Sequence, residues 1–298
     1  MSKILVTGVK GQVGWELMRT LAPLGEVVAV DMAELNIADT EAVRRFIREL
    51  KPTIIVNPAA YTAVDKAEAE PELAMQVNGV APGIFAEEAK RLDAWLVHYS
   101  TDYVFDGSKQ GAYVEGDQPN PQSVYGKTKL AGEQAIRATG CKHLILRTSW
   151  VYGARGHNFM LTMLRLGKDR DELKIVADQF GAPTWSRGIA EVTAQVLAQL
   201  HSPLVSREHA AALSGTYHLT AAAETSWFGF AAEVIRQGLP DRQVKMTPIT
   251  TDQYPLPAPR PANSRMSNLK LRQTFGIASP AWQDELRLCL AAVADNQT

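Results

Sequence analysis

The residues of this 298-residue chain best suited to chemistry are Tyr125 and Lys129, in the run Ser123-Val124-Tyr125-Gly126-Lys127-Thr128-Lys129-Leu130-Ala131-Gly132-Glu133. The run reads as the start of a helix, with Ser123 as N-cap and no proline inside it. One helical turn separates Tyr125 from Lys129, so phenol and ammonium share a face. A neighbouring positive charge favours the phenolate and draws a phenol pKa down from about 10 toward the working range. Such a phenol can give or take a proton as a general acid or base. The spacing alone proves little in a chain with 8 tyrosines, so the surrounding elements must decide.

Those elements begin at the N-terminus. Lys3-Ile4-Leu5-Val6-Thr7 is an apolar β run that stops at Gly8, and Gly8, Gly11 and Gly14 then lead into a helical pattern carrying Val13, Leu17, Met18 and Leu21. Glycines at a strand-to-helix turn let a dinucleotide pyrophosphate rest on exposed N–H groups. The next strand, Val27 to Val30, ends in Asp31. A carboxylate about 20 residues past the glycines can accept the adenine ribose 2′-hydroxyl. The order of strand, glycines, helix, strand and acid predicts a nicotinamide dinucleotide site. Asp31 favours NADH, while Lys10 offers a cation to a 2′-phosphate, so NADPH also fits.

Further along, Glu41–Leu50 predicts a crossover helix and Thr53–Val56 a buried parallel strand, which empties into Asn57-Pro58-Ala59-Ala60-Tyr61-Thr62. The stretch Glu72–Leu92 reads as a helix kinked at Pro82. Ala94–Tyr99 is the next strand, followed by Ser100-Thr101-Asp102-Tyr103, and His143–Ser149 is another. Ligands of open parallel sheets bind beyond the strands' carboxyl ends, so the Thr101 hydroxyl and the glycines face one crevice. The alternation predicts an α/β fold: a Rossmann-like, doubly wound parallel sheet over residues 1–150, to which part of 186–219 could be added. Residues 151–298 read as a smaller mixed α/β substrate domain. Its helices are expected at 158–170, 186–200, 225–237 and 280–294, with short strands near 173–177 and 216–219. The proline-dense loop Tyr254–Pro261 reads as irregular.

Composition narrows the class. A net charge of −1 gives no electrostatic reason for nucleic acid or an anionic membrane as partner. Two cysteines, Cys141 and Cys289, do not make a disulfide scaffold and suit a reducing compartment. The 6 histidines show no ligand spacing, so no metal site is expected. No apolar leader follows Met1, and no run is long enough to span a bilayer, which together predict a cytoplasmic protein.

The runs 11–14, 60–68, 99–105, 124–133, 147–153, 178–184 and 260–265 resemble the dTDP-4-dehydrorhamnose reductase family of the extended short-chain dehydrogenase/reductase superfamily. Pro58, where the family has alanine, is a small departure. The resemblance implies Tyr125 as proton donor, Lys129 as its activator and a ribose contact, and Thr101 as the hydroxyl that holds the substrate oxygen. It implies a cofactor lining of Gly8, Gly11, Gln12, Val13, Gly14, Asp31, Ile37, Ala60, Tyr61 and Thr62, beside Tyr125 and Lys129. Asp102, Trp150 and Arg260 would meet a dTDP-sugar with Thr101, Arg260 and Arg265 being candidates for its phosphates. The implied reaction is NADH- or NADPH-dependent reduction of a sugar-nucleotide 4-ketone. Open alternatives are another sugar-nucleotide reductase or epimerase, or a non-catalytic NAD(P)-binding subunit. The sequence also admits a homodimer, with Glu16 on a helix surface as one contact.

Overall fold

The computed structural model describes residues 2–295. Apolar runs without polar alternation must be covered on both faces, and the first five strands are so covered except at the sheet edge, where Glu26 and Ala29 stay exposed. The five are β1 (Ser2–Val6), β2 (Gly25–Ala29), β3 (Ile54–Asn57), β4 (Trp95–Thr101) and β5 (Lys142–Thr148). All pair in parallel, in a six-stranded sheet completed at one edge by Gly215–His218 beside β5 and ending in β2 at the other. Strand alternation sends neighbours to opposite layers. Ile4 and Val6 join Leu17 of α1 (Gln12–Thr20), Leu21 just after it, and Ile189 and Val196 of the helix Ser186–Leu200. Leu5 and Ile55 join Val43 and Ile47 of α2 (Thr40–Leu50) and Phe85 of the helix Ala81–Leu92. A third core, built around Tyr152, Met160, Phe230 and Trp282, lies in the later part of the chain.

The expected helix at 72–92 forms, but its irregularity precedes the proline. Pro71–Met75 passes through a π-helical turn, Gln76–Val80, into Ala81–Leu92, whose first turn holds Pro82. A π turn absorbs the bond that proline cannot donate, so no sharp break follows. The strand Lys245–Ile249 was not predicted, because Pro248 within it reads as a breaker. It forms only a two-stranded parallel pair with Glu172–Val176, where a proline is tolerated. The short helices Val64–Ala67, Arg207–Ala212 and Leu269–Phe275 lie where the sequence reading placed no element.

One buried ion pair fixes the helix Val124–Thr139 to the sheet. Arg147 of β5 donates from Nε and Nη2 to the two carboxylate oxygens of Glu133, at 2.8 and 2.7 Å, with both side chains sealed from solvent. Burial pushes the Glu133 carboxyl up, but the Arg147 guanidinium outweighs it and leaves the pKa below the ordinary carboxylate value. Stability from this pair is therefore present above the unfolded carboxyl pKa and lost as pH falls through the depressed one. Glu133→Ala leaves a buried guanidinium uncompensated and is expected to cost about 3–5 kcal/mol in urea unfolding.

Candidate active site

The glycine turn is built by close approach. Gly8 takes a positive φ of 58°, and a Cβ on Gly14 would collide with the Gly8 carbonyl. Gly11 N-caps α1 without a side-chain cap, and no acid occupies the first turn. The free N–H groups there form an anion cradle with no side chain in the way. Asp31 follows β2 and accepts from the backbone N–H of Lys10 and Met32, both at 2.8 Å, which locks glycine turn and carboxylate together. These features fit a dinucleotide.

The other expected cofactor residues divide. Ala60, Tyr61 and Thr62 lie in the loop after β3, at the carboxyl edge of the sheet. Asn78, buried in the π turn, grips this loop: it accepts from Tyr61 N–H at 2.8 Å and donates to the Tyr61 carbonyl at 3.0 Å. The Tyr61 phenol turns to Glu70 at 2.7 Å. Gln12 accepts from Asn158 at 2.9 Å, bridging the glycine turn to the later part of the chain. The side chains of Val13 and Ile37 pack into the two cores flanking the sheet.

Across the crevice, Ser123 caps the helix as expected, accepting from Gly126 N–H at 3.1 Å. Glu68 accepts from Val124 N–H at 2.9 Å. Burial and the Asp102 carboxylate push the Tyr125 phenol well above its ordinary value, and the Thr101 hydroxyl bonded to it only partly opposes them. The Tyr103 ring meets it edge-on, centroids 5.4 Å apart. Lys129 is held by other partners in this structure. Its ammonium donates to the Tyr99 carbonyl at 2.6 Å and faces His98 Nε2 at 3.2 Å, because fully buried it takes the polar partners within reach. Burial lowers Lys129 to about 8, against the pull of Glu133.

The Thr101 hydroxyl donates to Asp102 Oδ1 at 2.9 Å. The buried Asp102 carboxyl accepts a second bond from Ser264, and burial raises it to about 6 despite both donors. Arg260 is not free: it pairs with Asp65 at 2.7 Å, its guanidinium 6.0 Å from the Tyr103 ring. Arg265 pairs with Glu224 at 3.0 Å. Trp150, at φ 49°, stacks on Trp227 with centroids 3.7 Å apart. Sequence reading missed Trp227, Asn78, His98 and Asp65. Asp65 and Ser264 lay within quoted motif runs, and nothing in the residue types of the others marks them.

Comparison with known proteins settles the lineage. A family model described as the RmlD substrate binding domain matches residues 2–295. A dTDP-4-dehydrorhamnose reductase of Burkholderia thailandensis is 49% identical over 294 residues, covering 97% of this chain and 98% of that protein. The chain belongs to the dTDP-4-dehydrorhamnose reductase family. A second member, from Escherichia coli K12, is 45% identical over 94% of each chain. A solved dTDP-4-dehydrorhamnose reductase of Clostridium acetobutylicum superposes with TM-score 0.90 at 40% identity, over 98% of this chain and 99% of that one. One from Bacillus anthracis, solved in complex with NADP, gives 0.89 at 34% identity, over 98% and 99%.

Gly14→Ala is expected to weaken NADH and NADPH binding at least about tenfold, roughly 1.4 kcal/mol, by titration of cofactor fluorescence, with the fold retained.

Proposed function

We propose that the chain reduces the 4-keto group of dTDP-4-dehydro-β-L-rhamnose to the alcohol of dTDP-β-L-rhamnose, using NADPH or NADH. The observation that carries this reading is the Tyr125–Thr101–Asp102 cluster at the carboxyl end of β4, facing the same crevice as the glycine turn. Family membership supports the substrate class. Gly8, Gly11 and Gly14 would hold the cofactor pyrophosphate and Asp31 its adenine ribose. Bound NAD(P)H supplies the hydride.

The chain's residues manage the proton. As the ketone carbon gains a hydride, its oxygen gains negative charge. Tyr125 then delivers its phenolic proton to that oxygen. A phenol pushed upward by burial is loaded with its proton throughout the working range, which suits a donor. Lys129, one helical turn away, stabilises the phenolate left behind through its positive charge. Residues 1–150, with the sheet's edge strand and the helix Ser186–Leu200, form the cofactor part; the remainder, with Trp150 and Trp227 at its border, forms the sugar-nucleotide part. A dehydratase reading fails on Tyr103, a phenol where the elimination acid would stand; burial raises its pKa further.

Oxidation of NADPH or NADH in the presence of dTDP-4-dehydrorhamnose, followed by absorbance, is the direct test; no oxidation with either cofactor overturns the reading. Tyr125→Phe should lower kcat by about 10²–10⁴ while cofactor affinity stays nearly unchanged.

Asp102 gives a pH signature. Above about 6 its carboxylate takes the Thr101 hydroxyl hydrogen. Below that, protonated Asp102 can donate to Thr101 instead and release this hydrogen toward the ketone oxygen. kcat/KM is expected to rise as pH falls through about 6, and this rise should vanish in Asp102→Asn.

A further inference from the structure

Beneath the catalytic helix, a row of buried polar side chains crosses three neighbouring strands. Thr7 follows β1; Asn57 ends β3; His98 lies beside it in β4, the two paired in register. The Thr7 hydroxyl meets Asn57 Oδ1 at 2.6 Å, Asn57 Nδ2 lies 3.2 Å from His98 Nδ1, and His98 Nε2 lies 3.2 Å from Lys129 Nζ. All four residues are at most 1% exposed. The centre of a parallel sheet ordinarily takes valine or isoleucine, and each buried polar group is costly unless bonded. Such a row has a purpose other than packing, and it terminates on Lys129.

The donors and acceptors can be counted. An ammonium only donates, whereas an amide, a hydroxyl and a neutral imidazole each do both. With Lys129 charged, His98 Nε2 accepts, its proton sits on Nδ1, and Asn57 turns its oxygen to the ring and its NH₂ to Thr7. With Lys129 neutral, every bond reverses: Nε2–H faces the amine, Nδ1 accepts from the amide, and Thr7 donates. Asn57 here turns Nδ2 to the ring and Oδ1 to Thr7, the second arrangement; a half-turn of the amide exchanges its oxygen and nitrogen and gives the first. Burial, with the Lys129 charge, holds His98 well below its ordinary pKa, so the ring is neutral throughout.

We propose that His98, oriented by Asn57 and Thr7, is a positioning residue for Lys129: its Nε2 accepts from the ammonium and keeps that charge inside the protein, one turn from Tyr125. The inference rests on the reading that Lys129 assists Tyr125. The other titratable or charged groups about Lys129 are Tyr125 and Glu133 on its own helix, and Tyr99 and Asp102 on β4 and just beyond it. Glu133 is in turn held by Arg137 and by Arg147 of β5. An acceptor for the charged form raises a lysine pKa. Losing it lets Lys129 shed its proton at lower pH.

The test is the alkaline limb of kcat/KM in four enzymes. His98→Phe, which keeps a flat ring without an acceptor, should move that limb about 1 pH unit toward acid, a tenfold change in Lys129 protonation. His98→Gln, whose side-chain oxygen can accept from the ammonium, should restore most of it. Should the Phe variant not fold, His98→Asn, too short to reach Lys129, should show the same acid shift. Lys129→Ala separates the two readings: full activity in it defeats the assignment of Lys129 itself. An inactive Lys129→Ala beside a wild-type limb in a folded His98→Phe or His98→Asn overturns the role of His98 alone.

Discussion

The helix Val124–Thr139 lies closer to its neighbours than any side chain would permit, and the candidate site depends on that closeness. A Cβ on Gly126 would collide with the Tyr103 carbonyl, and one on Gly132 with the Asn78 carbonyl. Six residues apart on the helix, these glycines press it against the turn after β4 at one end and the π turn at the other. The Arg147–Glu133 pair then pins the next stretch to β5. Lys129 sits between those contacts, and Tyr125 directly precedes the first. Their positions are thus set by backbone in van der Waals contact on two sides, which is far stiffer than a helix resting on interdigitated side chains.

That stiffness explains why the polar interior can be so specific. A lysine, a histidine and two carboxylates share the carboxyl end of β4 and the helix above it, all with little access to water, beside the half-buried Tyr125. In such surroundings each charge state is decided by one or two partners at fixed distances rather than by solvent. Burial raises Tyr125 and Asp102 and lowers Lys129 and His98. Every one of these shifts favours the uncharged form, yet with Asp102 at about 6 and Lys129 at about 8 the carboxylate and the ammonium both persist at neutral pH.

Much of the fold was legible because strand, turn and helix signals depend on short spans. β1, the glycines, α1 and Asp31 all declared themselves through periodicity and punctuation, as did Ser123 as a cap. Tyr125, Lys129 and Thr101 were found by type and spacing, and the structure brings them to one edge of the sheet. Spacing could not say where a buried amine points. Lys129 stands one turn from Tyr125, yet its head follows the Tyr99 carbonyl, a backbone group invisible to any motif. Likewise Arg260 read as a free cation until the fold set Asp65 beside it, almost two hundred residues away in sequence. Pairings of that range are fixed by topology, not by local pattern.

The edge strand Gly215–His218 carries a consequence for how the molecule is made. It covers the flank of β5 through Tyr217 and Leu146, yet it arrives some seventy residues later in the chain. A ribosome emitting the first 150 residues therefore produces a sheet whose outermost strand is open, with unpaired N–H and carbonyl groups along an apolar row. Open edges of that kind invite pairing with a neighbouring chain. Correct assembly waits on late synthesis, and the two halves of the polypeptide must mature together as one cooperative object.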